Sequence, residues 1–503
     1  MYSFICDYDN PVVDTSEGKI RGYFMDGIYY FKGVPYAEAD RFMPPHKVTP
    51  WEGILNCTAY GKVCPPSTPV ARTDNDFIYG MTSWPDDENC QNLNIWTTNI
   101  NDSEKKPVMF YIHGGALSWG SSIELKSYEA TNLCKKGDVV VVTINHRLNL
   151  LGFLNLAEYG EKYRNSSTVG LADIEAALDW VKENISRFGG DPDNITIFGH
   201  SGGGMKVQTM MQIPSAVGKF QKAIVMSGIT YPSFDISEED TVRIASAIVE
   251  ELGLSSETID EIQYLPLEEI SRAYYKIAEK VIPGRNAAMA WRPVPNDYYK
   301  GYPLEKGFYD ANNDVPMMVG TAIAEFGDKY LYRYSDGTDQ ETKLHLLREK
   351  YGVRAGEVVA EFRKAYPQKD IIDAFLIDDV FRKPTLDFLD LRSSVAEAPV
   401  YSYMFAYNFN LFGGFPAWHN SELSLMFGSY EALPPLHDDE VEKLSETMIA
   451  TWSQFALTGN PNNKRLPDWE PYREGNEYTM VLDRTCEIRK DFDRRLMELT
   501  WPR

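Results

Sequence analysis

Three short aliphatic runs constrain this chain more than any other feature. They are PVMFYIHGG from Pro107, DVVVVTINH from Asp138 and NITIFGH from Asn194. Each is too short for a buried helix and too continuous for a half-exposed strand, so each predicts a strand covered on both faces. Between the last two lies ADIEAALDWVKENISRF, with Ile174, Ala177, Leu178, Val181 and Ile185 at helical spacing. Strand, helix, strand in this order predicts a parallel α/β sheet flanked by helices. DVPMMVG from Asp314 and VYSYMFAY from Val400 extend the strand series, and EVEKLSETMIATWSQFALTG predicts an amphipathic helix stopped by Gly459. The stretches at about 232–312 and 335–395 are helix-rich and interrupt that series. They are expected to be helical insertions in a single domain spanning 1–503, since no repeat or low-complexity linker divides the chain.

The third strand runs into ITIFGHSGGGMK. A strand that turns sharply into a helix strains the residue at the turn and needs small neighbours two positions away on either side. Gly199 and Gly203 hold those places around Ser201. The turn lifts the hydroxyl to the carboxyl edge of the sheet and aims the helix N-terminus at whatever the serine carries. A phosphate loop is excluded because no GK[ST] follows the glycines. Side chains one residue apart diverge on such a turn, so His200 is expected beside the serine as a pocket residue, and the base must come from elsewhere.

Attack by that serine on an ester makes a tetrahedral oxyanion, which needs donors already in place. The strand end YIHGGALSWG supplies them. The N–H groups of Gly115 and Ala116, with that of Gly202, are expected to form the oxyanion hole.

Together these stretches resemble the type B carboxylesterase/lipase family, which includes the cholinesterases. GVPYAEADRFMPP, DENCQNLNIW, the block GLADIEAALDWVKENISRFGGDPDNITIFGHSGGG, and FALTGNPN with PDWEPY occur in the family's order. Asn89 and Gln91 depart from its Glu-Asp-Cys-Leu-x-Leu-Asn signature. The resemblance implies an α/β-hydrolase fold and a serine carboxylesterase that works through a Ser-His-Glu triad and an acyl-enzyme. It also implies the order serine, acid, histidine. Only His345, His419 and His437 lie well downstream of Ser201. His345 sits in a helical pattern and His437 just ahead of a helix, whereas His419 lies in GGFPAWHNSEL, between a strand and a helix. His419 matches the family's motif, with Glu422 three residues on. Aligning Gly320 with the family's acid motif places Glu325 on the acid; Ala324 and Phe326 depart from the motif, and Asp328 is the alternative.

The resemblance further implies scaffold pairs Arg41–Glu88 and Arg147–Asp173, a supporting role for Ser227 near the acid, and a disulfide between Cys64 and Cys90 wherever the compartment is oxidising. Trp84 lies in the loop where cholinesterases carry a cation-binding tryptophan. His200 replaces the glutamate common before their serine, which argues against choline esters. Trp119, Phe412, Phe415 and Trp418 are candidates for an apolar acyl or alcohol pocket. An uncharged ester of a small or medium acid is the expected substrate, with no metal and no organic cofactor.

Composition excludes other classes. A formal net charge of −23 repels phosphate backbones and anionic membranes. No apolar run approaches membrane-spanning length. Six cysteines with no CxxC pair give no zinc or redox motif. Near Met1 there is no basic segment followed by a long apolar one, so a cytoplasmic protein is expected, or a secreted one if a signal has been removed. Asn-x-Ser/Thr matches such as Asn184 and Asn194 are then expected to be chance. Two other classes fit parts of the sequence. Adhesion relatives lack a member of the triad, whereas this chain keeps all three residue types in order. A serine peptidase of this fold would need a gating domain, for which no repeat is seen. Oligomeric state is not readable.

Overall fold

A computed structural model describes residues 3–66, 78, 80–101, 103–330, 338–411, 413–433, 436 and 438–501. His437 and Phe412 lie outside the described residues. The predicted aliphatic runs form Lys106–Ile112, Val140–Ile144 and Gly190–His200. In a 12-stranded sheet these are β5, β6 and β7. They follow β1 (Phe4–Ile5), β2 (Tyr23–Met25), β3 (Ile28–Pro35) and β4 (Asn92–Thr97). After them come β8 (Lys222–Met226), β9 (Met317–Ala322), β10 (Val400–Phe405), β11 (Tyr478–Leu482) and β12 (Glu487–Lys490).

The spatial order is β1-β2-β3-β4-β6-β5-β7-β8-β9-β10-β11-β12. From β6 through β11 every neighbouring pair is parallel, while the outer pairs on both sides are antiparallel. The continuous aliphatic runs are explained by burial on both faces. Val108, Phe110 and Ile112 enter one hydrophobic cluster, and Met109 and Tyr111 the other, as the two-residue strand period requires.

Helices cover those faces. The predicted ADIEAALDWVKENISRF helix runs Val169–Asn184, with Ile174, Ala177, Leu178 and Val181 buried. Asp439–Thr458 is capped at Asp438, whose side chain accepts from the N–H groups of Glu440 and Val441, and ends where Gly459 takes φ 77°. Between β8 and β9 lie helices Glu238–Glu251 and Leu267–Val281; between β9 and β10 lie Gln340–Tyr351, Ala355–Ala365 and Arg382–Val395. The first of these opens with a capping box, Ser237 and Asp240 each accepting from the other's backbone. Among the described residues no helix is long and apolar enough to cross a membrane. Asn184 is buried and hydrogen-bonded to Ser16 and the Trp180 carbonyl, which removes it as a glycosylation acceptor.

Candidate active site

The carboxyl ends of β5, β7, β8 and β9 converge on one point. β7 stops at His200 and the helix Gly202–Met210 starts two residues later. Between them Ser201 takes φ 57° and ψ −127°. A non-glycine residue with that backbone stores about 1–3 kcal/mol of strain, so the surroundings must hold it there. Ser201 N–H donates to the Met226 carbonyl at 2.8 Å, and its own carbonyl accepts from Met205 N–H at 3.0 Å. The glycines are required by contact. A Cβ on Gly199 would lie 2.5 Å from the Gly203 carbonyl carbon, and one on Gly203 would lie 2.0 Å from the Ile112 oxygen.

Because Gly199 pairs with Ile112, the residues after β5 emerge beside this turn. His113 to Ala116 cross it, with Gly115 at φ 84° and Ala116 at φ 52°. A Cβ on Gly114 would sit 3.4 Å from Ser201 Cβ, and one on Gly202 would sit 2.3 Å from Ala116 N. Among the described residues, the N–H groups of Gly115, Ala116 and Gly202 donate to no other protein group. The loop is fixed from behind. Lys206, wholly buried on the elbow helix, donates to the His113 carbonyl at 3.0 Å, and Asn149 N–H donates to the Leu117 carbonyl at 2.7 Å. Burial pushes the Lys206 ammonium down to about 7.

The acid and imidazole come from farther along. Glu325 follows β9 and is wholly buried; His419 lies in the loop before the helix Ser421–Met426 and is 7% exposed. His419 Nδ1 is 2.6 Å from Glu325 Oε2, and His419 N–H donates to the Glu325 carbonyl. The other carboxylate oxygen, Oε1, accepts from Ser227 Oγ at 2.6 Å and from Ala322 N–H at 2.7 Å. These contacts hold the Nδ1 proton against the carboxylate and leave Nε2 to face away from it. Burial pushes the imidazole down to about 4 and the carboxyl up to about 8. Asp328, the alternative acid, raises the His419 pKa through its charge.

His419 packs among rings. Phe381 lies parallel to it at 5.3 Å between centroids, Phe326 at 4.7 Å and His200 at 4.5 Å. Sequence reasoning missed both phenylalanines. Phe326 carried a signal, since it departs from the family motif beside the acid. Phe381 carried none: its place comes from Asp378, whose buried carboxylate accepts from the N–H groups of Val380, Phe381 and Arg382. Phe415 and Trp418, expected along a pocket, are packed into the core instead, with Trp418 against Phe409 at 4.8 Å. Aromatics at a strand end close a core as readily as they line a cavity. Trp119 stays by the site, its indole beside Gly115. A cavity of about 370 Å³ opens next to Ala116, walled by Leu117, Met205, Phe234, Met289 and Trp291.

Glu422 stands behind Glu325. One of its oxygens accepts from the Tyr403 hydroxyl at 2.9 Å, and the other has no partner. Burial and then the Glu325 charge push its carboxyl up to about 8; Asp378 is pushed up to about 8 by the same two causes. A carboxyl whose folded pKa is raised keeps its proton in the native state while the unfolded chain ionises near the ordinary value. Its contribution therefore falls as pH rises from the unfolded pKa toward about 8. Glu422→Gln, neutral at every pH, removes that slope. The melting temperature of the variant is expected to decline less than that of the unsubstituted chain between pH 5 and 8, measured by calorimetry.

Other expected pairs are also placed. Arg41 meets Glu88 at 2.5 Å and Arg147 meets Asp173 at 2.8 Å, the latter fully buried. Cys64 and Cys90 are neighbouring free thiols. Trp84 donates its indole N–H to the Ile123 carbonyl and packs edge-on against Tyr60. His345 is exposed on its helix.

Comparison with known proteins gives a consistent picture. The model of the carboxylesterase family matches residues 9–498. A para-nitrobenzyl esterase of Bacillus subtilis (strain 168) is 33% identical, with 96% of each chain covered. An esterase from Clostridium hathewayi, described as able to hydrolyse aliphatic aromatic polyesters, superposes with TM-score 0.94 at 40% identity over 99% of each chain. A Geobacillus stearothermophilus carboxylesterase superposes with TM-score 0.74 at 29% identity, covering 98% of this chain and 100% of that one.

Proposed function

Since the chain belongs to the carboxylesterase family, has the α/β-hydrolase fold and is a carboxylic ester hydrolase, we propose that Ser201, His419 and Glu325 are its nucleophile, base and acid. The observation that carries this reading is the 2.6 Å contact between His419 Nδ1 and Glu325 Oε2, on an imidazole whose neighbour His200 immediately precedes Ser201.

His419 Nε2 takes the Ser201 proton as Oγ attacks the ester carbonyl carbon. The oxyanion accepts hydrogen bonds from the N–H groups of Gly115, Ala116 and Gly202, at the positive end of the elbow helix. Glu325 fixes the imidazole tautomer and stabilises the imidazolium. His419 then protonates the leaving alcohol. Water, activated by the same imidazole, releases the acid and restores Ser201. Ser227 and Ala322 N–H donate to Glu325, favour its charged form against the pull of burial and fix its aim, and Glu422 supports the acid from behind. His200 and Trp119 border the site.

The substrate is an uncharged ester of a small or medium acid. The cavity beside Ala116 supports this: its walls are largely apolar and its size suits a compact acyl or alcohol group. Several walls come from the stretch at about 232–312, in keeping with one domain carrying helical insertions there and at about 335–395. The family relative that hydrolyses aliphatic aromatic polyesters also cleaves an uncharged ester. p-Nitrophenyl acetate tests the reading. A burst of p-nitrophenol equal to the chain concentration, followed by slower turnover, is expected. Turnover without a burst under conditions where deacylation limits, or no turnover, counts against it.

A further inference from the structure

His200 has no step in that cycle, yet its placement is costly. It is wholly buried, and neither ring nitrogen has a hydrogen-bond partner. An imidazole buried without partners gives up the hydrogen bonds it would make to water. The ring is tilted 54° to that of His419, 4.5 Å away. One nitrogen of His200, one nitrogen of His419 and one oxygen of Glu325 all lie within 4.8 Å of one another.

We propose that His200, His419 and Glu325 form a site for a borderline divalent cation, Zn²⁺ foremost, and that its occupation switches ester hydrolysis off. The binding stands on the three side chains alone. The inhibition rests on the reading of His419 as the base, because an imidazole that ligates a metal cannot take the serine proton.

Several features support this. Two imidazoles and a carboxylate are the donor set of many zinc sites. Nitrogen-rich sets favour Cu²⁺, Ni²⁺ and Zn²⁺ over Mg²⁺ and Ca²⁺. Phe326 and Phe381 cover His419 and limit competition from water.

The test uses chain stripped of metal by a chelator, in a non-coordinating buffer. CoCl₂ is titrated into the Ser201→Ala variant and the visible spectrum recorded. Zn²⁺ is titrated into esterase assays of the unsubstituted chain and of His200→Asn, each compared with its own metal-free rate. The expected result is an intense band of low-coordinate Co²⁺ saturating at one ion per chain and abolished by Zn²⁺. Zn²⁺ inhibition should be reversed by EDTA, and the half-inhibitory concentration should rise at least about tenfold in His200→Asn. No such Co²⁺ band, or equal Zn²⁺ sensitivity in a folded His200→Asn, overturns the proposal. If circular dichroism shows that His200→Asn does not fold, the Co²⁺ titration of Ser201→Ala decides alone. A stripped chain that hydrolyses esters but binds no Co²⁺ removes this inference and leaves the catalytic reading intact. A stripped chain that binds Co²⁺ but never hydrolyses esters removes the catalytic reading instead.

Discussion

Ser201→Ala and His419→Ala are each expected to lower kcat for p-nitrophenyl acetate by roughly five to six orders of magnitude, with KM changed far less. The serine variant loses the atom that bonds to the acyl group. The histidine variant keeps that atom but leaves it a hydroxyl with no base, since neither nitrogen of His200 hydrogen-bonds to it. The two side chains act on one proton, so their effects should not add. The double variant is expected to be no slower than either single one, within about tenfold. Residual hydrolysis above the uncatalysed rate should persist in all three, because the Gly115, Ala116 and Gly202 N–H groups and the cavity are untouched. Additive losses would show that the residues act in separate steps. Steady-state kinetics with melting curves separates this from unfolding.

Glu325→Gln is the second large effect. The amide keeps the volume and can still meet Ser227 and Ala322, so the fold should survive. It cannot hold an Nδ1 proton against a negative charge. The imidazole is then free to take the other tautomer, with its proton on the nitrogen that must accept from Ser201. A loss of about 10³- to 10⁴-fold in kcat is expected. Glu325→Asp should recover part of it, as the charge returns at a shorter reach. A loss under tenfold in Glu325→Gln would mean that another carboxylate, Asp328 or Asp378, holds the tautomer.

How legible this site was in the sequence depended on how local each part is. The elbow is written in consecutive residues: the spacing of Gly199, Ser201 and Gly203 follows from contacts of 2.0–2.5 Å that a Cβ would make. The strand run from Pro107 to Gly115 announced its loop for the same reason. His419 and Glu325 were reached through chain order and resemblance, because the two lie 94 positions apart in the chain. Phe381 and Asp378 could not be read at all. Their relation to His419 exists only once the segment before Arg382–Val395 folds against the end of β9, where Asp378 N–H donates to the Ile323 carbonyl. Phe415 and Trp418 were misread because an apolar aromatic has the same composition signal in a core and in a pocket. The orphaned nitrogens of His200 were equally invisible, since an unmet hydrogen bond is a property of the packed interior.

In the proposed mechanism one hydroxyl among all those in the chain is activated, and His419 activates it. Brief exposure to a fluorophosphonate followed by peptide mass mapping tests it most directly. A single adduct is expected, on the peptide carrying Ser201, at one per chain, and none over the same interval in His419→Ala. An adduct on a different residue, or labelling of Ser201 at an equal rate without the imidazole, would contradict it.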